Sequence, residues 1–389
     1  MSMTDDVRRA RAYLSRVAEP PYSALITLID EVGPIAAADM VRRQEFADGF
    51  ESVADGTVGR AGVDRAEADL AHIAHLGGRL VIPEDDEWPA AAFGALAERI
   101  PTEDTQHEDE VRELRPVAVW VVGGGRLDEL LERSVAMVGT RAPSSYGERV
   151  TDAFAADLAA EGFTIVSGGA YGIDGVAHRA ALAAEGPTIA FLAGGLDRPY
   201  PAGHAGLFRR IAEVGNLVSE YPPGGVPARH RFLNRNRMVG TCTGGVVVAE
   251  AGFRSGTKNT ATWARRRGIV VCAVPGPVTA ATSVTCHQLI REGAVLVTRS
   301  AEVIEEVGRI GELADELAVP ARPTDGLDGP ALRVHDALPA KSALPVSEIA
   351  VLAGLPPRAV MGQLALLETK GLVRRDGALW RLVRVSEMS

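Results

Sequence analysis

Nine consecutive residues, Arg229-His230-Arg231-Phe232-Leu233-Asn234-Arg235-Asn236-Arg237, carry four arginines, a histidine, one aromatic ring and two asparagines, with no acid. Guanidinium groups grip phosphates with paired donors, a ring stacks on a base, and amides such as that of Asn236 reach base edges. A ring inside such a run favours single strands, because a duplex offers no free base face. The competing reading buries Phe232 in the core.

A second chemical signal lies in glycine turns. Ser167-Gly168-Gly169-Ala170-Tyr171-Gly172-Ile173-Asp174 follows the apolar run Phe163–Val166, and Val135–Val138 ends in Gly139-Thr140-Arg141. A strand that stops at glycine and enters a helix presents backbone N–H groups to an anion. Ser255-Gly256-Thr257 makes a third such turn, leading into Lys258. Ser167, Gly168, Gly169, Arg141 and Lys258 are therefore candidate phosphate contacts. Close helix–strand packing is the alternative for any one glycine. A dinucleotide site needs GxGxxG and an acid at the end of the next strand, yet Gly139 is followed by Thr-Arg-Ala-Pro-Ser and the next strand ends in Ser167. The segment 252–258 has Walker-type residues in the wrong order. No nucleotide cofactor is expected.

Catalytic candidates are weaker. Asp174 and His178 stand one helical turn apart and could share a proton, but Asp174 sits where a helix N-cap is needed. Glu220 and Glu250, at two strand ends, could act as acid and base in N-glycosidic cleavage. Neither a GxSxG elbow nor an HExxH helix is present. No catalytic residue and no metal are expected.

These residues need a scaffold. At 389 residues the chain exceeds one ordinary core. Residues 1–75 read as a helical domain. The Gly33 turn within it could touch DNA, although packing is the preferred reading. From Arg79 onward strands alternate with helices: Arg79–Ile82, Val117–Val122, Val135–Val138, Phe163–Val166, Thr188–Leu192, Leu217–Ser219, Gly245–Ala249, Ile269–Val274 and Ala294–Val297. The expected class is α/β, with a Rossmann-like buried parallel sheet over 76–307. Residues 101–115 read as an acid-rich loop and 308–328 as a Pro/Gly linker. In 329–389, three helical segments precede a hairpin turned at Asp376-Gly377, the pattern of a winged helix. Its candidate DNA contacts are Arg358, Gln363, Arg374 and Arg375, with partner docking the alternative.

Charge is uneven along the chain. Residues 1–116 hold 12 basic and 24 acidic groups, whereas 329–389 hold 8 basic and 5 acidic. An acidic partner is thus sought beyond the first third. Cys242, Cys272 and Cys286 are widely spaced and read as core residues of a reducing cytoplasm. No apolar run is long enough to cross a bilayer.

Val138-Gly139-Thr140-Arg141, Ser167–Asp174 with Ala177-His178, Tyr200-Pro201, Ser219-Glu220, Phe232 with Arg235-Asn236-Arg237, Glu250, Ser255-Gly256-Thr257 and Pro275-Gly276 occur in this order. Together they resemble the DNA-processing protein A (DprA/Smf) family over residues 76–307. The resemblance implies an extended Rossmann-like domain, an N-terminal helical (SAM/HhH-like) domain and a C-terminal winged helix. It further implies a cytoplasmic homodimer without enzymatic activity. Such a protein binds and protects single-stranded DNA and loads a RecA-type recombinase in DNA-mediated transformation. By the same resemblance Arg141 and Ser167–Gly169 lie at DNA phosphates, Arg235 and Arg237 line a basic pocket, and Phe232 stacks. Tyr171 stands where an arginine is common, Lys258 where an apolar residue is usual, and Ser283–Ile290 departs from the family's pattern. The alternatives are a Rossmann-type nucleotide phosphoribohydrolase and a winged-helix transcription regulator.

Overall fold

The computed structural model describes residues 3–96, 114–253, 255–309, 311–314 and 324–383. Most of the segment expected as an acid-rich loop, and much of the linker, therefore lie outside the described residues. The chain divides into two compact units, residues 1–314 and 315–389.

The first unit opens with helices α1 (Met3–Val17), α2 (Ser23–Val32), α3 (Pro34–Arg43), α4 (Glu51–Thr57) and α5 (Ala66–His75). Gly33, at φ 80°, turns α2 into α3, and Pro34 starts the new helix, where its missing N–H costs nothing. Asp30 and Glu31 precede that turn, so its charge is wrong for a phosphate. The helices do not form a separate core. Tyr13, Leu14, Leu25 and Leu28 pack in one cluster with Trp120, Leu192, Phe208 and Leu217 of the α/β layer.

Strands and helices then alternate: β1 (Gly78–Val81), α6 (Ala90–Gly94), β2 (Val119–Val122), α7 (Leu127–Glu132), β3 (Ser134–Gly139), α8 (Ser145–Ala160), β4 (Thr164–Ser167), α9 (Ile173–Ala183) and β5 (Thr188–Phe191). They continue with α10 (Ala205–Val214), β6 (Asn216–Ser219), α11 (Arg229–Thr241), β7 (Gly245–Glu250), α12 (Thr257–Arg266), β8 (Val270–Ala273), α13 (Val284–Arg291), β9 (Val295–Leu296) and α14 (Ser300–Val307). The nine strands lie in the order β1-β2-β6-β5-β4-β3-β7-β8-β9. From β6 to β9 every pairing is parallel, but β2 is antiparallel to both β1 and β6. The sheet is thus mostly parallel rather than wholly so.

Side-chain alternation builds a core on each face. Val135 and Met137 of β3 join Phe154, Leu158 and Ala177 on the α8/α9 side. Ala136 and Val138 join Met238, Val239 and Ala261 on the α11/α12 side. All three cysteines are buried, and burial pushes the thiols up, Cys242 and Cys272 to about 12 and Cys286 to about 11. No single helix among the described residues is long and apolar enough to cross a membrane.

The second unit comprises α15 (Gly329–Asp336), β10 (Leu344–Pro345), α16 (Val346–Ala353), α17 (Pro357–Thr369), β11 (Val373–Asp376) and β12 (Leu379–Leu382). Val334, Ile349, Leu364, Leu367 and Trp380 form its core under a β10-β12-β11 sheet. Asp376 pairs with Leu379, so the hairpin turn is Gly377-Ala378, one residue later than expected. Gly377, at φ 61°, takes the left-handed position that the first turn residue needs.

Candidate nucleic-acid interface

The sheet reverses its order between β3 and β7, the point where an open α/β sheet forms a crevice at its carboxyl edge. Here the crevice is filled from within. The Thr140 amide donates to the Glu250 carbonyl at 2.7 Å. The Glu250 carboxylate accepts from the Ser144 amide and hydroxyl, each at 2.8 Å, and from the Thr282 hydroxyl at 2.6 Å. Ser144 in turn caps α8. A Cβ on Gly147 would collide with the same carboxylate, so glycine is needed there.

The next strand end is also internally satisfied, contrary to the expectation of an open anion cradle. Ser167 is fully buried and its hydroxyl donates to the Met137 carbonyl at 2.6 Å. The Ala170 amide donates to Asp174 at 3.2 Å, and the Gly168 amide also bonds that carboxylate. Asp174 therefore lies in the first turn of α9, capped by Gly172, and is not itself the N-cap residue. It folds the glycine turn over itself. Burial pushes its carboxyl up, opposed by Arg235, by the two amide bonds and by Arg141.

Arg235 lies under this turn. Its guanidinium donates to the carbonyls of Gly168 and Phe191, tying the ends of β4 and β5 together. A Cβ on Gly168 would lie 2.5 Å from the guanidinium, which accounts for the glycine. Burial lowers the Arg235 pKa to about 10, with Asp174 opposing and Arg141 adding to the fall, so it is charged at neutral pH. His178 does not pair with Asp174. Its Nδ1 lies 2.7 Å from the Thr188 hydroxyl.

Above this buried frame the surface is aromatic and basic. Gly172, at φ 79°, packs so closely on the neighbouring turn that a Cβ would be 2.7 Å from Cα of Arg141. The exposed Arg141 guanidinium lies over the Phe232 ring, 5.6 Å from its centroid. Phe232 meets Tyr200 edge to face at 5.7 Å. Tyr171 packs edge to face on His204 at 4.7 Å, and His204 Nδ1 is held 3.0 Å from the Gly169 carbonyl. Turns after β3, β4 and β5 and the start of α11 thus meet at one site.

The sequence profile of the DNA recombination-mediator protein A family matches residues 80–308, and that of the DprA winged helix domain matches residues 318–378. The chain is 51% identical over 387 residues to a Mycobacterium tuberculosis protein named as a DNA processing protein DprA, covering 98% of this chain and 96% of that one. It is 44% identical over 193 residues to protein Smf of Escherichia coli, about half of each chain (49% and 51%). The crystal structure of DNA processing protein A from Streptococcus pneumoniae superimposes with a TM-score of 0.60 at 29% identity, covering 79% of this chain and all of that one. The chain belongs to the DNA recombination-mediator protein A family.

In this mediator the basic run on α11 is not one continuous surface. Arg229 is exposed. Arg231 forms two bonds to the Glu19 carboxylate, at 2.7 and 2.8 Å, and His230 reaches the same group at 3.1 Å. Asn234 donates to the Pro20 carbonyl at 2.8 Å, fastening the α1–α2 connection to α11. Sequence expectation grouped Arg235 and Arg237 in one basic pocket, but the structure separates them. Arg237 is fully buried and pairs with Glu220 on the far side of α11. Residues two apart on a helix face nearly opposite ways, so these two buried side chains leave α11 in different directions. Asn236 bonds the Gly256 carbonyl at 3.4 Å, linking α11 to the turn before α12, whose first helical turn carries the exposed Lys258. Phe232 is half-buried, between the two readings of it.

Glu19 gave no sequence signal, because its partners on α11 lie more than two hundred residues away. In the winged helix Arg358, Arg374 and Arg375 are exposed, whereas Gln363 is half-buried with its Oε1 enclosed and unpartnered. The outward face of α17 adds Met361 and Leu366, not further cations.

Proposed function

We propose that this recombination mediator binds single-stranded DNA across the carboxyl edge of its sheet. The observation that carries the reading is the placement of Arg141 over the Phe232 ring beside exposed Tyr200. A guanidinium on an aromatic face offers a phosphate contact and a stacking surface together, with little base preference. Arg141 and Phe232 are the direct contacts, and Lys258 extends the basic edge along α12. Ser167, Gly168, Gly169, Arg235 and Asn236 hold those groups in position. Arg237 supports α11 from below. Arg358, Arg374 and Arg375 are candidates for an auxiliary contact on the winged helix.

The bound strand is handed to a RecA-type recombinase in DNA-mediated transformation, by a cytoplasmic homodimer with no catalysis of its own. The carboxylates that a phosphoribohydrolase would need are already committed: Glu220 to Arg237, and Glu250 to Ser144 and Thr282. A stand-alone transcription regulator would leave the Arg141–Phe232 site unused.

Fluorescence anisotropy with single- and double-stranded oligonucleotides of one sequence tests the reading. Preference for the single strand, weakened in both Arg141→Ala and Phe232→Ala, supports it. Equal affinity for the two forms, or unchanged affinity in both variants, overturns it. Release of free base from a nucleoside monophosphate would favour the hydrolase instead.

A further inference from the structure

Two large rings stand at the site with about half their surface in solvent: Tyr171 at 48% and Tyr200 at 52%. Neither ring is loose. Tyr171 sits on the backbone of Gly203, where any Cβ would collide with its hydroxyl, and its ring crosses His204 at 73°. His204 is itself fixed to the Gly169 carbonyl and packs on Phe208, 5.9 Å away, in the buried core. Tyr200 crosses Phe232 at 66°.

The connectivity places these rings around one circuit. Tyr171 precedes Gly172, which abuts Arg141; Arg141 covers Phe232; Phe232 touches Tyr200; and the loop from Tyr200 returns through Gly203 to Tyr171. Edge-to-face packing pins a ring and leaves part of it uncovered. An aromatic side chain held this way loses little further rotamer freedom on binding, so less of its stacking energy is spent on ordering.

We propose that Tyr171 is a base-stacking residue, which together with Tyr200 and Phe232 forms a three-ring platform for successive bases of a single strand. This rests on the single-strand reading above. Arg141 then supplies the phosphate contact beside the rings, and Tyr171 contributes through base faces, not charge.

The test pairs variants with two ligands in the full chain: a single-stranded oligonucleotide, and a strand of equal length whose central residues are abasic. Stacking is a property of bases, so Tyr171→Leu, which keeps an apolar group on His204, should weaken binding of the intact strand by about tenfold. It should leave the abasic strand's affinity and the salt slope unchanged. Tyr171→Phe should bind as the parent does. As a second readout, the Tyr171→Trp indole should be quenched by the intact strand and not by the abasic one. Equal losses on both ligands, no loss on either, or quenching by both strands overturns the proposal. If the parent protein binds no single strand at all, the underlying reading has failed instead.

Discussion

Arg237 and Glu220 form a bidentate ion pair with nitrogen–oxygen distances of 2.6 and 2.5 Å, and their side chains are 0% and 6% exposed. Two further Arg237 donors go to the carbonyls of Leu114 and Asn234. Four of the five guanidinium N–H donors are therefore used inside the protein. Truncation strands a carboxylate in the core, and breaking a buried pair in this way costs about 3–5 kcal/mol. Arg237→Ala should show that loss in urea unfolding, and any fall in DNA binding should track the unfolded fraction.

Glu19 gathers two arginines, Arg231 and Arg60, and the His230 ring at one carboxylate. Burial raises its pKa, but Arg231, then His230 and Arg60, outweigh this and hold it below the ordinary value. Glu19→Gln should free Arg231 and His230 for phosphate. We expect tighter single-strand binding at low salt and a salt slope steeper by about 0.7 per cation recruited. Stability should fall by about 1 kcal/mol or less, since the pair is partly exposed. Titrations at several salt concentrations would read both effects.

His178 sets an acid limit. Burial, followed by the charges of His204, Arg179 and Arg235, lowers its pKa from 6.5 to about 3. Between those values the unfolded chain binds a proton that the folded chain refuses, so stability must fall as pH drops. The contribution is complete above pH 6.5 and declines toward pH 3, by about 1.4 kcal/mol for each pH unit in mid-window. A pH series of urea midpoints should flatten between pH 6 and 4 in His178→Gln.

Much of this molecule is written locally. The β-branched runs and the glycines after them place the parallel strands correctly, because burial on both faces demands continuous apolar residues. The reversed direction of β2 escapes that logic, since an apolar run reads alike in either direction. The same limit governs the site. Residues 229–237 announce their charge, yet which arginines meet solvent depends on Glu19 and Glu220, both outside the run. Ser167-Gly168-Gly169 looks like an anion seat because glycine turns expose N–H groups, and only the fold reveals that Asp174 takes the Gly168 and Ala170 amides.

Gly168 shows how that turn controls the surface. A methyl group there would lie 2.5 Å from the Arg235 guanidinium, displacing it from the Phe191 carbonyl. Overpacking of this kind costs about 1–3 kcal/mol. Gly168→Ala should lower thermal stability and weaken strand binding together, as measured by melting curves and anisotropy on one preparation.

The central claim is that Arg141 and Phe232 divide phosphate and base recognition between them. The most direct measurement is the affinity for a single-stranded oligonucleotide as a function of salt, in the parent, Arg141→Ala and Phe232→Ala. Arg141→Ala should lower the magnitude of the log–log slope by about 0.7, the value of one phosphate contact. Phe232→Ala should weaken binding at every salt concentration with the slope unchanged. Identical slopes in the parent and Arg141→Ala, with no affinity loss in Phe232→Ala, would contradict the account.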